Sequence, residues 1–445
     1  MQVLHKMSNT ARKLLLVFPK SEGGYWGKVR HGRAGLVALG LSTVAALTPP
    51  DWEVVIKDAR VAPIDFDQKV DLVGITGYTA EIPSTYAIAD EFRKRGVPVV
   101  LGGVHVSALP AEALEHANAV VIGEAEGVWE KLLADFSAGV LHSTYRSEQF
   151  CSMEHMKIPR RDLLNREMYT SFNTLQATRG CPYNCDYCAV TGVFGHKFRT
   201  RPVVEVLSEI RTFDTTDFLF ADDNICGEPD YAKELFRKLI PVKKKWGGQT
   251  SITIAKDDEL LELYERSGGR YAFIGLETLS QKNLQAINKP WSKAIDYERA
   301  IRKIHRNGIN IIGSFILGLD EDDPSVFRHT LDFILKTKIA AAQFHILTPF
   351  PGTRLYERME KDGRIIDRDW SKYHTSDVVF QPANMTVKEL QDGYNWIFRQ
   401  TYSAQNILNR VFRSMQEFHT VPLLISVTGE KRCRRQSLEH IQCFQ

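Results

Sequence analysis

Cysteine is scarce in this chain: seven residues in 445, three of them between positions 181 and 188. That sparsity excludes a disulfide framework and points to a reducing compartment, where clustered thiols serve metals or catalysis. An excess of one charge is also lacking. Fifty-seven Lys and Arg against 54 Asp and Glu leave a net +3, which argues against nucleic acid or a polyanionic surface as partner. The longest apolar run, residues 34–47, is too short and too punctuated to span a bilayer, and reads as a buried helix. The start, Met1-Gln2-Val3-Leu4-His5-Lys6, carries no apolar stretch with a cleavage site, so no export signal and a cytoplasmic location are expected. What is present, 43% hydrophobic and 25% charged residues, is the composition of a globular protein, and the length implies two or three domains.

Residues 1–140 alternate short apolar runs with helical patterns. Strands are expected at 13–19, 53–58, 71–76, 97–101 and 119–122, helices at 85–95 and 111–116, and a Gly-rich loop at 21–27. This alternation predicts an α/β, doubly wound, flavodoxin-like parallel sheet, whose ligands sit beyond the carboxyl ends of the strands. Gly74, Thr76, Gly77 and Tyr78, then Gly102, Gly103 and His105, then Gly123 and Glu124 mark those ends. Paired glycines there let the backbone approach a large planar or phosphorylated ligand.

Residues 141–171 lack periodicity and read as a linker, with Cys151 structural within it. From 172 to 365, strands at 172–177, 217–221, 250–254, 271–276, 310–317 and 343–347 alternate with helices at 203–211, 230–242, 258–267, 295–307 and 326–337. Six such repeats predict a partial (β/α)6 barrel of the TIM type, reactive at the C-terminal mouth of its strands. Residues 366–445 form a small, mostly helical segment with an amphipathic helix at 387–402 and a further one at 406–415. Trp370, Tyr373, Tyr394, Trp396 and Phe398 read mainly as core there. The tail, with Lys431–Arg435 and Cys443, shows no motif.

The chemistry centres on Cys181-Pro182-Tyr183-Asn184-Cys185-Asp186-Tyr187-Cys188. Three thiolates at C-x3-C-x2-C can hold three corners of an iron–sulfur cube and leave the fourth iron open. Zinc bound by these cysteines with His196, or a redox pair, are the alternatives. Acids follow the expected strands: Asp222 and Asp223, suited to an ammonium or to substrate hydroxyls, and Glu277, suited to ribose hydroxyls. Gly318, in Gly318-Leu319-Asp320-Glu321, permits backbone contact with adenine, and Thr348-Pro349-Phe350-Pro351-Gly352-Thr353 makes a rigid turn.

With its aromatic Tyr187 before the last cysteine, the motif resembles the signature of the radical SAM superfamily. The resemblance implies a 4Fe-4S cluster held by Cys181, Cys185 and Cys188, with S-adenosylmethionine (SAM) chelated to the open iron and cleaved to a 5′-deoxyadenosyl radical. Basic residues at His196–Arg201 then serve to neutralise the cluster or the SAM carboxylate, or pair with surface acids. The order Gly-Gly-x-His, Gly-Glu-x-Glu, D-D-N, G-L-E, G-L-D-E and T-P-F-P-G-T, spanning residues 10–365, is similar to radical SAM enzymes with an N-terminal cobalamin domain. The D-x-H-x-x-G motif that supplies a histidine to cobalt is missing, and the surroundings of His31 do not fit it. The resemblance therefore implies cobalamin held without a histidine ligand, or else a domain that only buttresses the core. The implied activity is methylation of an unactivated carbon, with cyclisation, rearrangement or oxidation as alternatives and a zinc-stabilised interaction protein as the reading from another class. The implied partners are a small-molecule or lipid substrate and an electron donor such as flavodoxin or ferredoxin, with no nucleic acid and no transmembrane segment.

Overall fold

The structure, a computed structural model, describes residues 11–21, 33–195 and 197–410. The loop containing His31, His196 and the tail beyond 410 lie outside the described residues, as do most of the Gly-rich loop and the end of the helix expected at 406–415. The chain divides into two compact units.

The first unit comprises the chain through Lys20, Ala38–Cys151 and Lys157–Met168. Leu14, Leu15, Leu16 and Val17 are all buried, because a strand covered on both faces has no solvent side and needs a continuous apolar run. Six parallel strands lie in the order Trp52–Asp58, Arg12–Phe18, Leu72–Thr76, Val99–Gly102, Ala119–Ile122, Thr144–Arg146. This is the flavodoxin-type order, and the chain reverses direction across the sheet between Arg12–Phe18 and Leu72–Thr76, where such folds open a ligand crevice. Helices Leu39–Leu47 and Trp129–Ser137 pack Leu41, Trp129, Leu132 and Leu133 onto Leu14, Leu16 and Ile56, each fully buried side chain contributing about 1.5–3 kcal/mol.

Two differences from the sequence expectation arise here. The stretch 141–171 contains the sixth strand, and Lys157–Met168 packs with the first unit. The strand is three residues long with only Tyr145 turned inward, too short to show a period; Tyr145 is fixed by donating to Asp135 Oδ2 at 3.0 Å. The run at 34–47 divides into a strand, Ala34–Leu36, paired with Tyr169–Ser171, and the helix Leu39–Leu47.

The second unit comprises Ser21–Val37, Ser152–Met156 and the chain from Tyr169. Its six strands, Thr174–Leu175, Asp217–Phe220, Lys245–Thr250, Gly269–Glu277, Asn310–Leu317 and Ala341–Ile346, are parallel and lie side by side in chain order. The third was expected at 250–254, where Thr and Ile favour extended chain, but Ile252–Lys256 is a 3-10 turn and the strand runs through Gly247 and Gly248. Neighbouring strands crowd both: a Cβ on Gly247 would meet Leu219 and Tyr271 at 3.3 Å, and one on Gly248 would meet Phe220 at 3.1 Å. Close backbone approach selects the glycines against strand propensity. Phe315 and Phe344 pack toward Phe333 and Phe398 on the covering helices. Alternate residues, including Ser314, Ile316, Gln343 and His345, therefore line the opposite face.

Candidate active site

The cysteine loop grows out of the first strand of the second unit. Thr178–Arg179 pairs antiparallel with Arg199–Thr200 and closes its base. Gly180 sits at φ +82°, and a Cβ there would lie 2.7 Å from Lys197 O, so only glycine fits. Distant segments brace the loop: Asp186 N donates to Ile287 O at 3.1 Å, Asn288 Nδ2 to Asn184 O at 2.6 Å, and Leu355 N to Asp186 O at 2.9 Å. Arg354 pairs with Asp186 at 2.7 Å.

Cys181, Cys185 and Cys188 are free and half-buried. Burial pushes the Cys181 thiol up to about 11 and that of Cys188 up to about 12, and raises Cys185 as well. A site that penalises bare thiolates is one in which metal charge restores them. Among the described residues no group of three or more His, Cys, Asp or Glu side chains is drawn together tightly enough for one metal ion. In a cube each cysteine sulfur sits on a different iron, and three thiol donors leave the fourth iron open.

Tyr187 donates to Glu277 Oε1 at 2.9 Å, and Lys289 Nζ donates to the same oxygen at 2.7 Å and to Gly275 O at 2.9 Å. Glu277 is held at φ +64°, where the pairing register slips. This backbone strain at a strand end marks a position fixed by its surroundings. Burial first, and then the Glu277 charge, holds the Tyr187 phenol far above its usual range. Lys289, which the sequence reading did not single out, lies 5.1 Å from the Trp291 ring centre, and Trp291 stacks on Tyr183 at 3.6 Å.

The two aspartates after the second strand part company. Asp222 is fully buried and accepts from Ala177 N (3.1 Å), Thr178 N and Thr178 Oγ1 (2.6 Å). It locks the first strand to the second instead of facing the mouth as expected; burial lifts its carboxyl to about 7. Asp223 faces Cys181 and Cys188, accepts from Gly180 N, and keeps a buried Oδ2 with no hydrogen-bond partner. Burial raises its carboxyl to about 6, against the nearby Arg179. Gly318 has φ +90°, and a Cβ would meet Leu390 at 2.6 Å; its N–H donates to Asp322 Oδ2 at 3.0 Å. Helix packing alone accounts for this glycine. His345, also missed from sequence, ends the sixth strand with Nδ1 3.0 Å from Thr375 Oγ1.

In the first unit the strand-end residues separate into two groups. Gly74 is interior, its Cβ position 2.9 Å from Leu16. His105 has a buried ring bonded through Nε2 to Glu112 at 3.1 Å, and Glu124 is buried and accepts from Cys151 N at 2.9 Å. Neither turns outward, contrary to expectation, because each satisfies a partner inside the fold. Gly77 lies against Thr85, and Gly103, at φ +107°, would collide with Thr76 Oγ1 at 2.8 Å. Tyr78 is 56% exposed, Thr76 and Gly102 are partly exposed, and Gly123, at φ +80°, has nothing within 4 Å of a Cβ. An exposed aromatic and open glycine backbone at these strand ends, with His105 turned inward, fit a flat macrocycle held without that histidine.

Known proteins match both units. The radical SAM superfamily model covers residues 175–334, the B12 binding domain model 34–133, and a domain of unknown function (DUF4070) 353–442. The chain is 33% identical over 413 residues to bacteriochlorophyllide d C-12(1)-methyltransferase of Chlorobaculum tepidum, covering 90% of this chain and 89% of that protein. This chain belongs to the B12-binding radical SAM methyltransferases. It is a cobalamin-dependent radical SAM C-methyltransferase, with a 4Fe-4S cluster, SAM and cobalamin as its cofactors and a small molecule as substrate. The C-8(2)-methyltransferase of the same organism is 29% identical (84% of this chain, 90% of that protein), and hopanoid C-2 methylase of Rhodopseudomonas palustris 27% (81% and 72%). The fold matches TsrM from Kitasatospora setae (TM-score 0.65, 18% identity, 79% of this chain and 78% of that one) and OxsB (0.69, 13%, 96% and 72%). Among the described residues of this methyltransferase no helix is long and apolar enough to cross a membrane.

Proposed function

We propose that this methyltransferase acts on a peripheral carbon of a chlorophyllide-type tetrapyrrole. The observation that carries the reading is the 33% identity, spanning both units, to an enzyme named for bacteriochlorophyllide d, supported by a second such relative at 29%. Cys181, Cys185 and Cys188 would hold the cluster, which with SAM would supply the radical chemistry needed to activate the substrate carbon. Asp223 Oδ2, the unpartnered acceptor beside the cysteines, receives the SAM ammonium. Tyr187, pinned by Glu277 and Lys289, fixes the backbone between Cys185 and Cys188. In the first unit the rim of Thr76, Tyr78, Gly102 and Gly123 carries the corrin. Flavodoxin or ferredoxin supplies electrons in the cytoplasm.

The test is anaerobic reconstitution, followed by incubation with bacteriochlorophyllide d and methyl-labelled SAM and mass spectrometry of the pigment. Label in the pigment, lost in Cys185→Ala, is the expected result. No label in the pigment, with label transferred when a hopanoid is supplied in a parallel incubation, would replace the tetrapyrrole by a lipid.

A further inference from the structure

Strand register places His345 beside Ile316 and two strands from Glu277, in the uppermost row of inward-facing side chains at the mouth of the sheet. Phe344 points to the covering helices, so the adjacent His345 points to the concave face. The residue as a whole is half-buried. Its Nδ1 is engaged by Thr375, and its Nε2 has no hydrogen-bond partner among the described residues. Residues at strand ends on this face of a barrel are placed for chemistry more than for stability.

A second, independent feature converges on the same ring. Thr375 is a β-branched residue at φ +66°, a conformation such side chains avoid. It is held there by Ile346 N donating to Thr375 O at 2.7 Å, while the next residue's carbonyl accepts from Gln391 Nε2 at 3.0 Å. The strained turn puts a hydroxyl on His345 Nδ1 and nowhere else among the described residues. The neighbouring His374 turns away to Asp377 at 3.3 Å. Strain persists where the surroundings impose it, and it clusters at ligand clamps. Burial keeps the His345 imidazole neutral, its basicity lowered despite the Glu277 charge nearby. Moving a methyl group onto a carbon radical needs no proton from the protein, so acid–base chemistry does not explain this histidine.

We propose that His345 anchors the substrate in the barrel mouth, its Nε2 meeting a polar group of the substrate, and that Thr375 is the positioning residue that fixes the ring. The assignment rests on the tetrapyrrole reading for its probe. The measurement uses reconstituted full-length enzyme with bacteriochlorophyllide d and records iron content, SAM binding, the KM for pigment, and the ratio of 5′-deoxyadenosine to methylated product. His345→Ala should keep iron and SAM binding while the ratio rises roughly tenfold, the worth of one hydrogen bond. His345→Gln should restore part of the coupling, and Thr375→Val, which keeps the shape and removes the hydroxyl, should raise the ratio more modestly. An unchanged ratio and KM in His345→Ala, with the parent active on the pigment, overturns the anchor and leaves the substrate reading standing. If His345→Ala fails to fold, parent-like ratios in both His345→Gln and Thr375→Val overturn it. A parent enzyme that neither binds nor methylates the pigment removes the substrate reading, and the anchor with it.

Discussion

Replacing Lys289 by methionine tests how the strained end of the fourth strand is held. Lys289 and Glu277 are 5% and 6% exposed, so their pairing at 2.7 Å is shielded from solvent. Methionine fills a similar volume but leaves the Glu277 carboxylate buried beside Tyr187 alone, and Gly275 O loses its donor. Breaking one side of a buried pair costs about 3–5 kcal/mol, which in a unit of this size corresponds to roughly 6–20 °C in Tm. Replacing both partners at once, with Glu277→Gln and Lys289→Met, removes the uncompensated charge and should recover most of that loss. The assay is calorimetry and urea unfolding of the apo protein for parent, both single variants and the double variant, which closes a double-mutant cycle. A loss under about 1 kcal/mol in Lys289→Met, or a double variant less stable than either single one, would refute the idea that the pair pins the strand end.

Two further outcomes follow from the geometry. Gly103→Ala should destabilise the first unit by about 2 kcal/mol through the clash at φ +107°, whereas Gly102→Ala, with Val121 at 3.7 Å, should leave its unfolding unchanged, read by calorimetry. The Asp222 carboxyl sits near 7 in the fold against an ordinary 3.8, so the folded state binds the extra proton between these values. Its contribution is full below about pH 4 and is lost as pH rises to about 7. Asp222→Asn should flatten that part of the stability–pH curve relative to the parent; an identical slope would sink the assignment.

The cysteine motif was legible because its spacing, with Tyr187 before the last cysteine, resembles the radical SAM signature, and the β/α alternation because buried strands need apolar runs. What escaped the sequence depended on contacts across the fold. Lys289 lies twelve residues beyond Glu277, past the helix Gln281–Ala286, and Thr375 thirty residues beyond His345, separations at which no periodicity speaks. Asp222 and Asp223 are adjacent and alike in sequence, yet one serves as a strand clamp and the other looks at the thiols, because the chain leaves the strand after Phe220 and bends at Asp223. His105 and Glu124 carried the motif pattern but satisfied partners within the fold. The third strand was displaced because two glycines weaken the local strand signal where close packing demands them.

The bracing of the cysteine loop by Arg354 and Leu355 has a consequence for biogenesis. Asn184 and Arg354 are 170 residues apart in the chain. At about 5–20 residues per second, a ribosome needs on the order of ten to thirty seconds after making the cysteines before it supplies their last brace. During that interval the three thiols ride on a nascent chain with an unfinished receptacle, open to oxidants and stray metals. A loop braced last by Arg354 is a better receptacle for iron and sulfide once the barrel is complete, and truncation before residue 354 should yield chains that accumulate with less iron.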